Sequence, residues 1–433
     1  MVVAATCAAA CATGATPDRG RVGADLGRRV GIETQLAAPP EGAWTPPAGA
    51  VTADGLDIDE AVAIALWSNP DFHASLTALG LARADVVEAG LLRNPIFSLL
   101  FPWGPKQLEF TLTWPIDALW QRPKRVADAT LNAEAIAAHL VAGGLTLVAD
   151  VRLAFLDAVL AERQAAFGAE QSTLASQAAT MAEGRLRAGD VSALEASLVR
   201  ADALRFEAVR VKRQGARDQA MVRLRALLGV PSGTAAFTLV DPMETADVCA
   251  TGAALLASAL AARPEVRAAE LQVEAAGARV GLERARILTL TASLDANAKG
   301  SQGFEMGPGV AIELPVLSQN QGRRARAAAE LDQAARRYLA VRAAVSVQLD
   351  AAIAGLQEAQ ETARLLTTDA AASLQEARQR AERLHQAGEI SLLALLETRQ
   401  RLIDIETARL DAAFGVSRAL VRLEQAIGHR CQT

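Results

Sequence analysis

Two rhythms alternate along this chain. From about Arg122 to Arg187, and again from about Gln321 to Gln386, apolar residues keep the three-and-four spacing of a helix, with Gly143-Gly144 the one weak spot. About 65 residues rising 1.5 Å each make a rod of roughly 100 Å, too long for an ordinary globular domain. Each rod reverses at a glycine, Gly189 or Gly388, which suits the left-handed residue of a helix end. Asp190 or Ser192, and Ser391 in the second case, are placed to cap the returning helix, which runs to Gly229 or to Gly428.

Ahead of each rod the period changes to two. After Asn94-Pro95, Ile96–Phe101 meets a Pro102-Trp103-Gly104-Pro105 turn. On the return, Leu108, Phe110, Leu112 and Trp114 share one face, and Glu109, Thr111 and Thr113 the other. A longer hairpin sets Leu288, Leu290, Ala292, Leu294 and Ala296 against Thr289, Thr291, Ser293, Asp295 and Asn297. Its return strand carries Phe304, Met306, Val310, Ile312 and Leu314 on one face. Four strands cannot close a barrel alone, and lipid does not tolerate an open sheet edge, so several copies would have to pool their strands.

The two rhythms form one duplicated unit. Ala182, Glu183, Ala188, Gly189 and Ser192 recur as Ala381, Glu382, Ala387, Gly388 and Ser391, an offset of 388 − 189 = 199. Val222-Arg223-Leu224 and Gly229 recur as Val421-Arg422-Leu423 and Gly428, and Trp114-Pro115 with Lys124-Arg125 is answered by Leu314-Pro315 with Arg323-Arg324. A repeat of this length duplicates a whole structural unit. Its order is helix, β-hairpin, very long helix, tight turn, long helix. The first unit spans 55–240, with its β-hairpin about 95–115 and helical hairpin about 122–229. The second spans 241–433, with corresponding hairpins about 287–316 and 321–428. Each opens with a helix broken at a proline, Asn69-Pro70 or Arg263-Pro264, where the chain restarts.

Residues 1–54 read as a signal or lipidation remnant followed by an extended Gly- and Pro-rich linker. Ala8-Ala9-Ala10-Cys11 resembles a lipobox, making Cys11 the candidate lipidation site, with Cys7 its rival. Composition fits long helices: 51% of residues are hydrophobic, with alanine supplying much of this, and only 4% are aromatic. A net charge of −5 without a basic stripe argues against nucleic acid. With no run of about 18 uninterrupted apolar residues, any membrane crossing is expected to use β-strands.

Together the reversals Ala188-Gly189-Asp190-Val191-Ser192 and Ala387-Gly388-Glu389-Ile390-Ser391, the steps Thr113-Trp114-Pro115-Ile116 and Glu313-Leu314-Pro315-Val316, and the openings at Asn69-Pro70 and Arg263-Pro264 resemble the TolC-type outer membrane efflux protein family, from about residue 55 to 430. The resemblance implies a mainly α fold with a β-barrel segment, in which three copies pool their hairpins into a twelve-stranded outer-membrane barrel. A long α-helical coiled-coil tunnel would continue it into the periplasm of a Gram-negative bacterium. It implies a passive exit duct for small molecules or metal ions, with a periplasmic adaptor and an inner-membrane pump as partners and no cofactor. The tip turns Gly189, Asp190, Gly388 and Glu389 would meet the adaptor. Glu195 and Glu397 are candidates for a pore gate, where three-fold symmetry would gather like carboxylates. Pro115 and Pro315 would mark the barrel–tunnel junction. Cys249 and Cys431, just before the second unit and just after its last helix, are a candidate disulfide in the oxidising periplasm. A protein-secretion duct of the same fold, and a soluble helical scaffold, stand as alternatives.

Enzymatic chemistry finds no anchor. His73, His139, His385 and His429 are scattered without metal-ligand spacing, and Gly303 to Gly309 belongs to a hairpin and precedes no phosphate-loop lysine.

Overall fold

The computed structural model describes residues 16–32, 34, 36, 44–47, 55–101, 103, 108–231, 237–241, 253–298, 303–387, 389–390 and 392–431. In chain order its elements are α1 (Arg19–Val30), α2 (Ile58–Ser68), α3 (Pro70–Leu76), α4 (Ala78–Gly90), β1 (Ile96–Leu100), β2 (Leu108–Pro115), α5 (Ala118–Ala188) and α6 (Ala193–Leu228). Then come α7 (Ala253–Ala262), α8 (Pro264–Ala285), β3 (Thr289–Ala298), β4 (Phe304–Glu313), α9 (Gln321–Arg364), α10 (Ala370–Gln386) and α11 (Leu392–Ile427).

The chain packs into two compact units, and each draws on both repeats. One holds residues 1–22, 74–142 and 263–344; the other holds 23–73, 143–262 and 345–433. In the first unit the strands form one antiparallel sheet in the order β1-β2-β3-β4. Its register puts Leu99, Phe110, Ala296 and Met306 in one row and Glu109, Asn297 and Glu305 in another. One face is therefore almost wholly apolar, with Phe97, Phe110 and Phe304 stacked across three strands at centroid separations of 6.3 and 5.7 Å. The other face carries Thr111, Thr113, Ser293, Asp295, Glu109, Glu305 and Glu313. Both faces follow the period-two reading. Beside the sheet, α4 packs Ala82 and Val86 against Ala133 of α5.

The second unit contains both helix reversals and the buried stretch of α5 that includes Val151, Phe155 and Val159. Here the structure corrects two expectations. Residues 19–30, expected within an extended linker, form a helix. Val22, Leu26 and Val30 fall four apart and are at most 3% exposed, and Asp18 Oδ1 accepts from Arg21 N at 2.8 Å at the helix start. Gly143-Gly144, the expected weak spot, leaves α5 unbroken over 71 residues. A Cβ on Gly144 would come within 2.7 Å of Leu26, so this glycine makes room for α1.

The second rod is not continuous. A π-helical turn, Leu365–Asp369, separates α9 from α10, and the Thr367 hydroxyl donates to the Ala363 carbonyl within it. Such back-bonding competes with the regular ladder. Among the described residues one helical stretch, Gln321–Thr367, is long and apolar enough on average to cross a bilayer. Between Leu339 and Leu356, however, it carries Arg342, Gln348 and Asp350, which a lipid-exposed span disfavours.

Candidate functional site: helix reversals, closures and sheet

At the first reversal α5 ends at Ala188 and Gly189 takes φ +83°, a conformation most side chains avoid. Gly189 N donates to Leu186 O at 3.1 Å and Asp190 N to Arg185 O at 2.9 Å, satisfying carbonyls the helix end leaves open. Ser192 then caps α6, its hydroxyl accepting from Glu195 N at 3.1 Å. In the second copy Glu389 N donates to Leu384 O at 2.9 Å, the same bond 199 residues later. Gly388 and Ser391 lie outside the described residues. Across each hairpin an arginine faces a glutamate at matching positions, Arg200–Glu183 at 3.9 Å and Arg399–Glu382 at 3.7 Å. Both pairs are largely solvated and contribute little to stability.

The gate candidates are not repeat mates. Position 394, the mate of Glu195, is alanine, and position 198, the mate of Glu397, is leucine. Glu195 is half-buried in the first turn of α6, whereas Glu397 is exposed. Glu397 lines an open cavity of about 580 Å³ between the two helical hairpins, with Gln171, Leu198, Arg205 and Gln400. The structure thus sets these two carboxylates in different surroundings.

The ends of the repeats close in two ways. In the first, Ser68 Oγ donates to Leu228 O at 2.6 Å and Asn69 Nδ2 to Leu227 O at 2.9 Å, tying the opening of the repeat to its last helix. In the second, Arg29 of α1 donates to the carbonyls of Ala262 and Gly428. Nearby, Arg152, 6% exposed, pairs with Glu424 at 2.9 Å and with Asp59 at 3.4 Å, and Arg430 reaches Asp59 at 3.0 Å. Cys431 N donates to Glu424 Oε1 at 3.1 Å, and Cys431 is disulfide-bonded. The other three cysteines, Cys7, Cys11 and Cys249, lie outside the described residues.

Pro115 ends β2 opposite Thr291, and α5 begins three residues on. Pro315 follows β4, with Asn320 at φ +58° donating to the Glu283 carbonyl at 2.9 Å before α9 starts. Both prolines thus stand at strand-to-helix steps. The sequence marked Lys124-Arg125 only as a motif. In the structure Arg122 donates to Gly90 O (2.7 Å) and Arg125 to Leu91 O (3.0 Å), satisfying carbonyls at the end of α4, while Lys124 donates to Gly281 O (3.2 Å) in the last turns of α8.

The sheet's polar face bears Glu109, Asp295, Glu305 and Glu313, and its four strands contain no lysine or arginine. Among the described residues no cluster of three or more His, Cys, Asp or Glu is placed to hold a metal.

Comparison with known proteins places this architecture. Residues 255–429 match the model of the family described as outer membrane efflux protein. Over 383 residues the chain is 24% identical to the cobalt-zinc-cadmium resistance protein CzcC of Cupriavidus metallidurans, covering 87% of this chain and 91% of that one. In fold it is similar to CusC, at TM-score 0.72 and 20% identity, over 90% of this chain and 99% of that one. It is likewise similar to the outer membrane protein VceC of Vibrio cholerae, at TM-score 0.70 and 19% identity, over 87% and 97%. The resemblance drawn from the sequence stands, and the fold is the one these outer membrane proteins share.

Proposed function

We propose that this chain, an outer membrane efflux protein by the family its second repeat matches, builds with two further copies the outer-membrane exit duct of an efflux pump whose cargo is a divalent metal cation. The observation that carries the reading is the sheet. It has one apolar face and two open edges, β1 and β4, a combination that lipid accepts only after closure into a barrel. The opposite face carries acids and no base in its strands, which attracts cations and repels anions. The 24% identical relative is named for cobalt, zinc and cadmium resistance, in keeping with such cargo. The duct is passive; a periplasmic adaptor and an inner-membrane pump deliver the cation. The reversals around Gly189-Asp190 and Gly388-Glu389 face the adaptor, Glu195 and Glu397 form two separate rings at the pore entrance, and Cys249 partners Cys431.

The test is a particle mass in mild detergent from the outer-membrane fraction, followed by reversal potentials in planar bilayers. The expected result is three chains and a cation-selective pore. Replacing Glu109, Asp295, Glu305 and Glu313 with their amides should reduce the selectivity severalfold. A monomeric particle would overturn the duct; an unselective or anion-selective trimer would overturn the cargo and leave the duct.

A further inference from the structure

The apolar face of the sheet ends at a tryptophan. Trp114 shares that face with Leu108, Phe110 and Leu112, and its indole Nε1 donates to the Arg93 carbonyl at 3.0 Å. A tryptophan with an apolar body and a polar tip suits the boundary between lipid tails and headgroups. The bond sets Arg93, in the segment joining α4 to β1, where the apolar band gives way to the long helices. β2 runs from there into α5, so this is the helical end of the sheet.

Cations gather at that end, all within the first compact unit. Arg122, Lys124 and Arg125 lie in the opening turns of α5, and Arg286 is the last cap of α8. Burial pushes the Arg125 pKa down first, Arg93 and Arg286 push it further, and Asp117 offsets them only in part. Two carboxylates meet the cluster: Asp117, which accepts from Gln121, and Glu283, which pairs with Arg286. The carbonyls of Gly90, Leu91 and Gly281 each take one N–H from Arg122, Arg125 and Lys124 but carry no charge. Arg125 Nε is buried without a hydrogen-bond partner, and the exposed Arg93 guanidinium has none among the described residues. Like charges held this close repel, and an anion among them relieves the repulsion. Apolar side chains border the cluster: Leu91, Leu92 and Leu119 are 60%, 39% and 50% exposed. Leu119 lies three residues before Arg122, on the same face of α5.

We infer that this cluster binds the phosphate headgroup of an anionic glycerophospholipid in the periplasmic leaflet of the outer membrane. The inference rests on the duct reading, which turns the apolar face of the sheet toward lipid. Guanidinium groups suit a phosphate because the N–H fork of each meets two of its oxygens at once. A lipid is the source, rather than free phosphate, because cations and exposed leucines adjoin. The phosphate meets the arginines while the glycerol and acyl chains cover Leu91, Leu92 and Leu119. A zwitterionic lipid brings its own cation and relieves the repulsion less, so a headgroup of net negative charge is preferred.

The test is native mass spectrometry of the full-length protein from mild detergent, offered equal amounts of phosphatidylglycerol and phosphatidylcholine with identical acyl chains. Phosphatidylglycerol should stay bound in excess. Arg93→Gln, which leaves the three bonds from α5 in place, should lower that excess about fivefold, and adding Arg122→Gln should abolish it. Lys212→Gln, the same loss of charge on α6, should leave it unchanged; an equal fall there would overturn the site. Displacement of the bound lipid by inorganic phosphate at constant ionic strength would overturn the lipid as its source. A three-chain particle that holds both lipids equally overturns the site and leaves the duct standing. A single-chain particle without preference overturns both.

Discussion

The two helical hairpins were once the same sequence and now differ in the middle. Their ends agree closely: the bond from the residue after the turn glycine recurs at the 199-residue offset, as does the Arg–Glu pair. Between these ends the first hairpin has an unbroken descending helix, and Ser172 Oγ of α5 donates to Glu207 Oε2 of α6 at 2.8 Å. Arg210 grips the same carboxylate at 2.8 and 2.6 Å. Hydrogen bonds from Arg210 and Ser172 together hold Glu207 down to about 2. In the second hairpin Glu406 and Arg409 persist at 3.2 Å, but position 371, the mate of Ser172, is alanine, and the π-helical turn lies just before it. A reversal is fixed by glycine backbone and caps, which tolerate little change. A rod's middle relaxes where a tie between its arms is lost.

The largest way to break this comparison is at the ends. Gly189→Val forces a β-branched residue into φ +83°, costing about 1–3 kcal/mol. The expected outcome is a lowered melting temperature and lost metal export in a complementation assay; wild-type values for both would remove the reason for glycine there. A smaller effect is expected in the middle. Ser172→Ala should cost about 1 kcal/mol, the ordinary net value of one hydrogen bond, because the site is part-exposed. Hydrogen exchange around residues 165–215 should then quicken toward the rate of the second hairpin, and Ala371→Ser should slow exchange there. If neither rate moves, this tie is not what separates the hairpins. The smallest effect is a pH dependence. Glu207 sits below its ordinary value of 4.5, so its contribution is complete above that pH and is lost as pH falls toward 2. The exchange difference between hairpins should narrow over that interval, and Glu207→Gln should remove the pH dependence.

Much of the fold was legible because its signals are local. Alternation from Leu108 to Trp114 names both sheet faces without tertiary help, and glycine followed by a capping residue marks a reversal wherever it falls. What stayed hidden depends on neighbours. α1 has only three core residues, Val22, Leu26 and Val30, among glycines and arginines, so its helix is stabilised by the surface it meets. α5 begins at Ala118, ahead of the expected start near Arg122, and carries Pro123 inside it. Nothing in Leu365-Leu366-Thr367-Thr368-Asp369 announces a π turn. At the sites, the duplication located the reversals and the strand-to-helix prolines. It did not reveal that Glu195 and Glu397 occupy unlike environments, nor that Arg29 closes the second repeat where Ser68 and Asn69 close the first.

The sheet's uneven strands bear on how such a wall comes apart. Within one chain the ladders join five, eight and ten residue pairs, from β1·β2 to β3·β4. In the proposed trimer, β4 of one copy would meet β1 of the next, and β1 offers five residues. Around the circumference, long ladders therefore alternate with short ones. In the proposed trimer, force or harsh detergent is therefore expected to part the ring at its three short joints first, releasing each chain as an intact four-stranded panel.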